Sequence, residues 1–251
     1  MGEAASPQRG SVGGERTAEK ASMRFGVLQF PGSCDDRDAL RACRQVGQAR
    51  LVWHEDTALS DVDVVVIPGG FSYGDYLRPG AIARFAPAME AVTRHSAAGR
   101  PVLGICNGFQ VLCEAGLLPG ALLPNDYLHF VCRQVELRVE STSTPFTSEC
   151  RSGQQLSIPV KHGSGRYFVP PEELDRIEAR GGVVLRYAPG HNPNGSAHDI
   201  AGVVNEQGNV MGLMPHPEHA VDPLTGSDDG LRILASLAAW AVRQDREPLS
   251  A

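Results

Sequence analysis

VLGICNGFQVL, residues 102–112, passes from an unbroken apolar run into a helical pattern through one cysteine set between two glycines. Gly104, Cys106 and Gly108 form G-x-C-x-G, the cysteine counterpart of the G-x-S-x-G nucleophile elbow. That motif needs a strand before it and a helix after it, and both are present: PVLGI reads as a buried strand and GFQVLCEAGLL as a helix. Glycines allow backbone to close on backbone at such a turn, where a side chain would clash. The turn lifts the thiol above the carboxyl end of the sheet, where ligands bind in open α/β folds.

Working outward, MRFGVLQF (23–30), ARLVWH (49–54) and DVDVVVIPGG (61–70) read as strands, the last a Val/Ile run of the kind covered on both faces. DDRDALRACRQVG (35–47) carries helical spacing through Leu40, Cys43 and Val46, and residues 82–98 are expected to form another helix. Alternating strands and helices over residues 23–118 predict a flavodoxin-like, open, mostly parallel α/β sheet with helices on both faces. The second half changes character. HFVCRQVELRVEST (129–142) and GQQLSIPVKHG (153–163) alternate apolar and polar residues, and residues 199–214 read as two strands around a glycine turn. An antiparallel extension is therefore expected there. PPEELDRIEARG (170–181) and DGLRILASLAAWAVRQ (229–244) complete the helices, with Asp229 a candidate N-cap. The expected organisation is a flexible leader at 1–22, one domain at 23–246 and a tail at 247–251.

The 251 residues carry a net charge of −6, so nothing favours nucleic-acid or anionic-membrane binding. No apolar stretch approaches the ~20 residues of a membrane helix, and the start lacks a signal-peptide core. A cytoplasmic protein is expected. The six cysteines include no C-x-x-C pair, so inert thiols are expected except where context selects one. Lys20 and Lys161 are the sole lysines, a bias read as genomic base composition.

Cys106 is selected by its elbow: amides of the starting helix favour negative charge on the sulfur, and the Asn107 amide can bind an oxyanion. A thiol nucleophile also needs a base and an orienter. LMPHPEHAVD (213–222) supplies the best pair: Pro215 and Pro217 keep His216 extended, it follows an apolar strand, and Glu218 can accept from the imidazole. A polar surface loop is the bland alternative. A zinc reading of His216 with His219 is weaker, because H-E-x-x-H requires a helix that the prolines forbid. IPGGFSYGDYLRPG (67–80) also leaves a buried strand, and Gly70 is the second candidate oxyanion donor; an ordinary connecting loop competes. VKHGSGRYF (160–168) places His162 and Arg166 around two glycines, as a plain hairpin would also do. No phosphate loop or dinucleotide fingerprint is present.

GICNGFQVL, IPGGFSYGDYLR, KHGSGRY, NPNGS and GLMPHPEHAVDPLTGSDDG together resemble the glutaminase subunits of phosphoribosylformylglycinamidine synthases, a branch of the triad-type (class I) glutamine amidotransferases. The resemblance covers residues 23–244. It implies Cys106 as nucleophile, His216 as base, Glu218 as orienter, and Phe71, Asp75, Gln110, His162 and Arg166 as candidate contacts to the glutamine substrate. It implies no cofactor or metal on this chain, with ATP and Mg²⁺ used by a large synthase subunit and a small third subunit bridging the two. The family usually carries an acidic residue at the position of Ser164 and an arginine at that of His219. Three other readings compete: a stand-alone cysteine hydrolase, which generally lacks the late H-P-E segment; an amidotransferase serving another acceptor, such as anthranilate or GMP synthesis, against which FSYGDYLR speaks; and a catalytically silent assembly subunit, which has no need of all three residues.

Overall fold

Strand β1 (Arg24–Gln29) lies at the centre of a parallel set, with β2 (Gln48–Trp53) on one side and β3 (Val64–Ile67) on the other. The computed structural model of the chain describes residues 22–244; apart from Ser22, the expected leader, and all of the expected tail, lie outside the described residues. β4 (Val102–Ile105) pairs with β3, and β11 (Val210–Leu213) pairs in parallel with β4, setting Leu213 opposite Ile105. All residues of β3, β4 and β11 are buried, as their unbroken apolar runs require.

Beyond β11 the sheet turns antiparallel through β10 (Ile200–Val204), β9 (Val183–Tyr187), β6 (Val131–Val139) and β7 (Gln155–His162). The order of the nine strands is β2-β1-β3-β4-β11-β10-β9-β6-β7, and only β10 and β6 run against the rest. The mostly parallel sheet with an antiparallel extension is as expected. β9, which the sequence reading passed over, is what links β10 to β6. β7 shows the half-exposed alternation, with every second residue buried. A small separate ribbon joins β5 (Ala121–Leu123) and β8 (Arg166–Phe168).

The helices follow from chain direction. β1 to β2 steps one way along the sheet and β3 to β4 the other, so right-handed crossovers place α1 (Asp36–Cys43) and α2 (Pro87–Ala97) on opposite faces. α3 (Asn107–Glu114) packs on β3, β4 and β11, while α5 (Gly230–Gln244) meets α1 and buries Ile233, Leu234 and Leu237. α4 (Pro171–Ala179) opens on its proline and carries Glu172 and Glu173 in its first turn, where the helix dipole favours them. Asp229 directly precedes α5, but its carboxylate accepts from the Ser157 amide and so ties that helix to β7.

The continuous helix expected at 82–98 is divided. A 3-10 turn spans Ala83–Phe85, Ala86 is extended, and α2 begins at Pro87. The pyrrolidine ring forces the preceding residue out of helical geometry and supplies no N–H. Among the described residues no helix is long and apolar enough to cross a membrane, and all six cysteines are free thiols.

Candidate functional site

The elbow after β4 holds Cys106 at φ 52°, ψ −104°, a conformation that side-chain-bearing residues rarely adopt. The packing beneath it explains the motif: a Cβ at Gly108 would stand 2.0 Å from the Ile67 carbonyl oxygen. The Cys106 amide donates to Leu213 O at 2.8 Å, and the sulfur lies 3.9 Å from Lys161 O at the end of β7. The far strand of the sheet thus curls back over the thiol.

β11 runs beside β4 and delivers the following loop to the same sheet end. The His216 amide donates to Pro159 O of β7 at 2.8 Å, and Pro217–His219 forms a 3-10 turn. This turn brings Glu218 Oε1 to 2.6 Å from His216 Nδ1, both side chains buried. His216 Nε2 and Glu218 Oε2 are buried without a conventional hydrogen-bond partner. Burial opposes a charged imidazole, yet the Glu218 carboxylate and the Cys106 sulfur together raise His216 to about 10. Residues 110 positions apart in the chain thereby act on one another.

A cavity of about 170 Å³ opens beside the sulfur, lined by Cys106, His216, Gly70, Phe71, Asp75, Gln110 and His162 among others. Gly70, Phe71 and Asp75 come from the loop after β3, whose backbone winds through positive φ at Tyr73, Gly74, Asp75 and Leu77. The Asn107 side chain holds this loop: Oδ1 accepts from the Ser72 amide at 3.0 Å, and Nδ2 donates to Asp75 Oδ1 at 3.3 Å and Gln110 Oε1 at 2.8 Å. Burial pushes the Asp75 carboxyl up to about 6, against the Asn107 hydrogen bond.

Two of the expected contacts have other partners inside the fold. Gln110 is engaged at both ends of its amide, since Nε2 donates to Ser164 O. His162 meets Asn125 Oδ1 at 3.1 Å through Nδ1 and Asn194 Nδ2 at 3.4 Å through Nε2, and burial followed by the charge of His216 lowers it to about 4. Arg166 departs from the expectation. It lies on β8, pairs with Asp126 Oδ1 at 2.7 Å and does not line the cavity. In the β5–β8 pairing Arg166 stands opposite Leu123.

The sequence reading missed Asp35 and Lys161. Asp35 is buried beside His216, with Oδ2 3.6 Å from Nδ1, and its Oδ1 accepts from Lys161 Nζ and, at 3.3 Å, from His219 Nε2. Two signals were available: Asp35 follows β1 at the same strand end, and Lys161 is the sole lysine of residues 23–251. His216 and His219, dismissed as a pair on helix grounds, have ring centroids 5.5 Å apart. Ligand atoms of Asp35, His216, Glu218 and His219 lie within 4.8 Å of one another, a spacing a cation can use. The Lys161 ammonium pairs with Asp35, and His216 Nδ1 is held by Glu218, so two of the four groups already have partners inside the fold.

Comparison with known proteins places this geometry among relatives. Residues 22–230 match the family described as CobB/CobQ-like glutamine amidotransferase domain. The chain is 57% identical over 225 residues to phosphoribosylformylglycinamidine synthase subunit PurQ of Salinibacter ruber, covering 86% of this chain and 96% of that protein. It is 60% identical over 217 residues to the subunit of the same name from Mycobacterium tuberculosis, covering 86% and 96%. A chain of the PurLQS structure from Thermotoga maritima superposes with a TM-score of 0.81 at 43% identity, over 88% of this chain and 99% of that one.

Proposed function

Because the chain belongs to the CobB/CobQ-like glutamine amidotransferase family, we propose that it is the glutaminase subunit of a phosphoribosylformylglycinamidine synthase, acting in purine biosynthesis. The observation that carries the reading is the buried His216–Glu218 pair set against Cys106 at the mouth of one cavity.

On this reading His216 Nε2 takes the proton of the Cys106 thiol as the sulfur attacks the side-chain amide carbon of glutamine. The carbonyl oxygen takes up negative charge against the backbone amides of Gly70 and Asn107. His216 then gives its Nε2 proton to the departing nitrogen, the C–N bond breaks, and ammonia leaves a glutamyl thioester behind. His216, now neutral, takes a proton from water as that water attacks the thioester carbon. The C–S bond breaks, glutamate leaves and the thiol–imidazole pair is restored. Glu218 holds Nδ1–H throughout, fixing the tautomer and stabilising the imidazolium. Phe71, Asp75, Gln110 and His162 line the cavity and are the proposed contacts to glutamine, Gln110 and His162 also holding its wall through their own hydrogen bonds.

Ammonia passes to a larger synthase subunit, which uses ATP and Mg²⁺ to form the amidine, and a small third subunit bridges the two in the cytoplasm. Support for an assembly comes from the likeness to the PurLQS chain. The degree of identity to the PurQ subunits argues against a stand-alone hydrolase.

Cys106→Ala tests the reading in the assembled complex. Glutamine-dependent synthesis is expected to vanish while synthesis from added ammonia persists. Loss of neither activity removes Cys106 from the reaction, and a wild-type chain that releases no glutamate even in the complex would mark a silent subunit.

A further inference from the structure

Asp35 stands at the N-cap position of α1, yet its carboxylate caps nothing. Aspartate is favoured there because it normally accepts from the first-turn amides. Here the carboxylate is turned away into the site, where three groups from two other segments meet it: Lys161 Nζ at the end of β7, His219 Nε2, and His216 Nδ1 at 3.6 Å. The side chain is 96% buried, so water does little to screen it. Gly69 makes the approach possible. A Cβ at that position would meet Asp35 Oδ2 at 2.4 Å and His216 Cε1 at 2.7 Å.

The groups alternate in sign: the Lys161 ammonium, the Asp35 carboxylate, the His216 imidazole and the Glu218 carboxylate. We propose that Asp35 is a positioning residue of the glutaminase site, a second carboxylate that with Glu218 favours the imidazolium of His216, while Lys161 moderates its pull. This rests on the glutaminase reading above. The same contact ties β7 to the loop after β1, and β7 carries the Lys161 carbonyl over the Cys106 sulfur and the Pro159 carbonyl onto the His216 amide.

Other charged or titratable groups face the imidazole as well. Glu218 and His219 belong to its own turn, Cys106 to the elbow, and Lys161 and His162 to β7. Asp38 of α1 reaches His219 Nε2 at 4.0 Å. The cluster holds Asp35 well below the usual carboxylate range: burial alone would raise it, and His219, His216 and Lys161 outweigh burial. Burial would lower Lys161, and Asp35 raises it.

The test follows the His216 ring resonances of the isotope-labelled full chain through a pH titration, assigned by their loss in His216→Asn. Asp35→Asn keeps the shape and removes the charge, and is expected to lower the His216 midpoint by about 1 pH unit. Lys161→Met leaves Asp35 unopposed and is expected to move the midpoint the other way. Lys161→Arg, which keeps the charge, is expected to leave it in place. Opposite displacements support the proposal, because a bracing role alone would not give them opposite signs. Midpoints unchanged, or displaced alike in both variants, overturn it. Should Lys161→Met not fold, the Asp35→Asn and Lys161→Arg titrations decide by the same criterion: a lowered midpoint in the first and an unmoved one in the second. The result separates from that of Cys106→Ala: an intact dependence on Cys106 with an unmoved His216 midpoint overturns the role of Asp35 alone.

Discussion

His216 Nδ1 lies 2.6 Å from Glu218 Oε1, two residues away, and both side chains are 1% exposed. A regular helix or strand does not close so tight a contact between residues so near in the chain. Pro217 begins the 3-10 turn that does, and it lets the proton on Nδ1 be held while Nε2 is left without a conventional hydrogen-bond partner.

Glu218→Gln should therefore lower kcat for glutamine hydrolysis by about 10²–10⁴, with a smaller effect on KM, because the amide cannot stabilise the imidazolium. Stability should follow the same charge. The imidazole titrates near 6.5 when unfolded and is raised to about 10 when folded. Its stabilisation is fully present below about 6.5 and is lost as pH rises through about 10. The difference in melting temperature between wild type and Glu218→Gln should be widest below pH 6.5 and narrow toward pH 10, as scanning calorimetry across pH would show.

Cys106 occupies φ 52°, ψ −104°, a strain of about 1–3 kcal/mol for a residue with a Cβ. Cys106→Gly relieves it at an entropic cost of about 0.5–1 kcal/mol. Denaturant titration should find the inactive glycine variant at least as stable as wild type. A loss of more than about 1 kcal/mol would show that the elbow stores no strain.

Asp75 carries a carboxyl that burial pushes up to about 6, from an ordinary value of 3.8. The folded state then binds the proton more tightly than the unfolded one, so stability falls as pH rises from about 3.8 to about 6 and stays reduced above it. Asp75→Asn should raise the melting temperature by about 2–4 °C above pH 6, and the gain should disappear below pH 4. A gain independent of pH would point to another cause.

Arg166 pairs with Asp126 outside the cavity, and a half-exposed ion pair contributes little. Arg166→Met should change kcat/KM for glutamine by less than about twofold. A tenfold rise in KM would put the guanidinium back in contact with substrate.

Much of the site was legible because its signals are local. G-x-C-x-G between an apolar run and a helical pattern permits few backbone paths, and the elbow after β4 is one of them. H-P-E after an apolar strand marked His216 and Glu218, but the segment was expected to be extended, and the 3-10 turn that joins the two side chains was not read. The split in the helix expected at 82–98 was legible too, at Pro87, had its effect on Ala86 been followed. Asp35 and Lys161 carried no local motif; one resembled an ordinary helix cap, the other a residue in an alternating strand.

The amino-acid sequence alone determined the order of the main strands and helices, β9 and the β5–β8 ribbon apart, the end of the sheet at which the loops gather, and the elbow. These follow from steric rules acting between residues close in the chain. Which side chains meet was decided only by the tertiary structure. Lys161 and Asp35 are 126 positions apart, and they touch because the antiparallel extension curls back over the parallel strands. Burial then strengthens that contact and leaves the imidazole between two carboxylates, a setting that no stretch of sequence contains by itself.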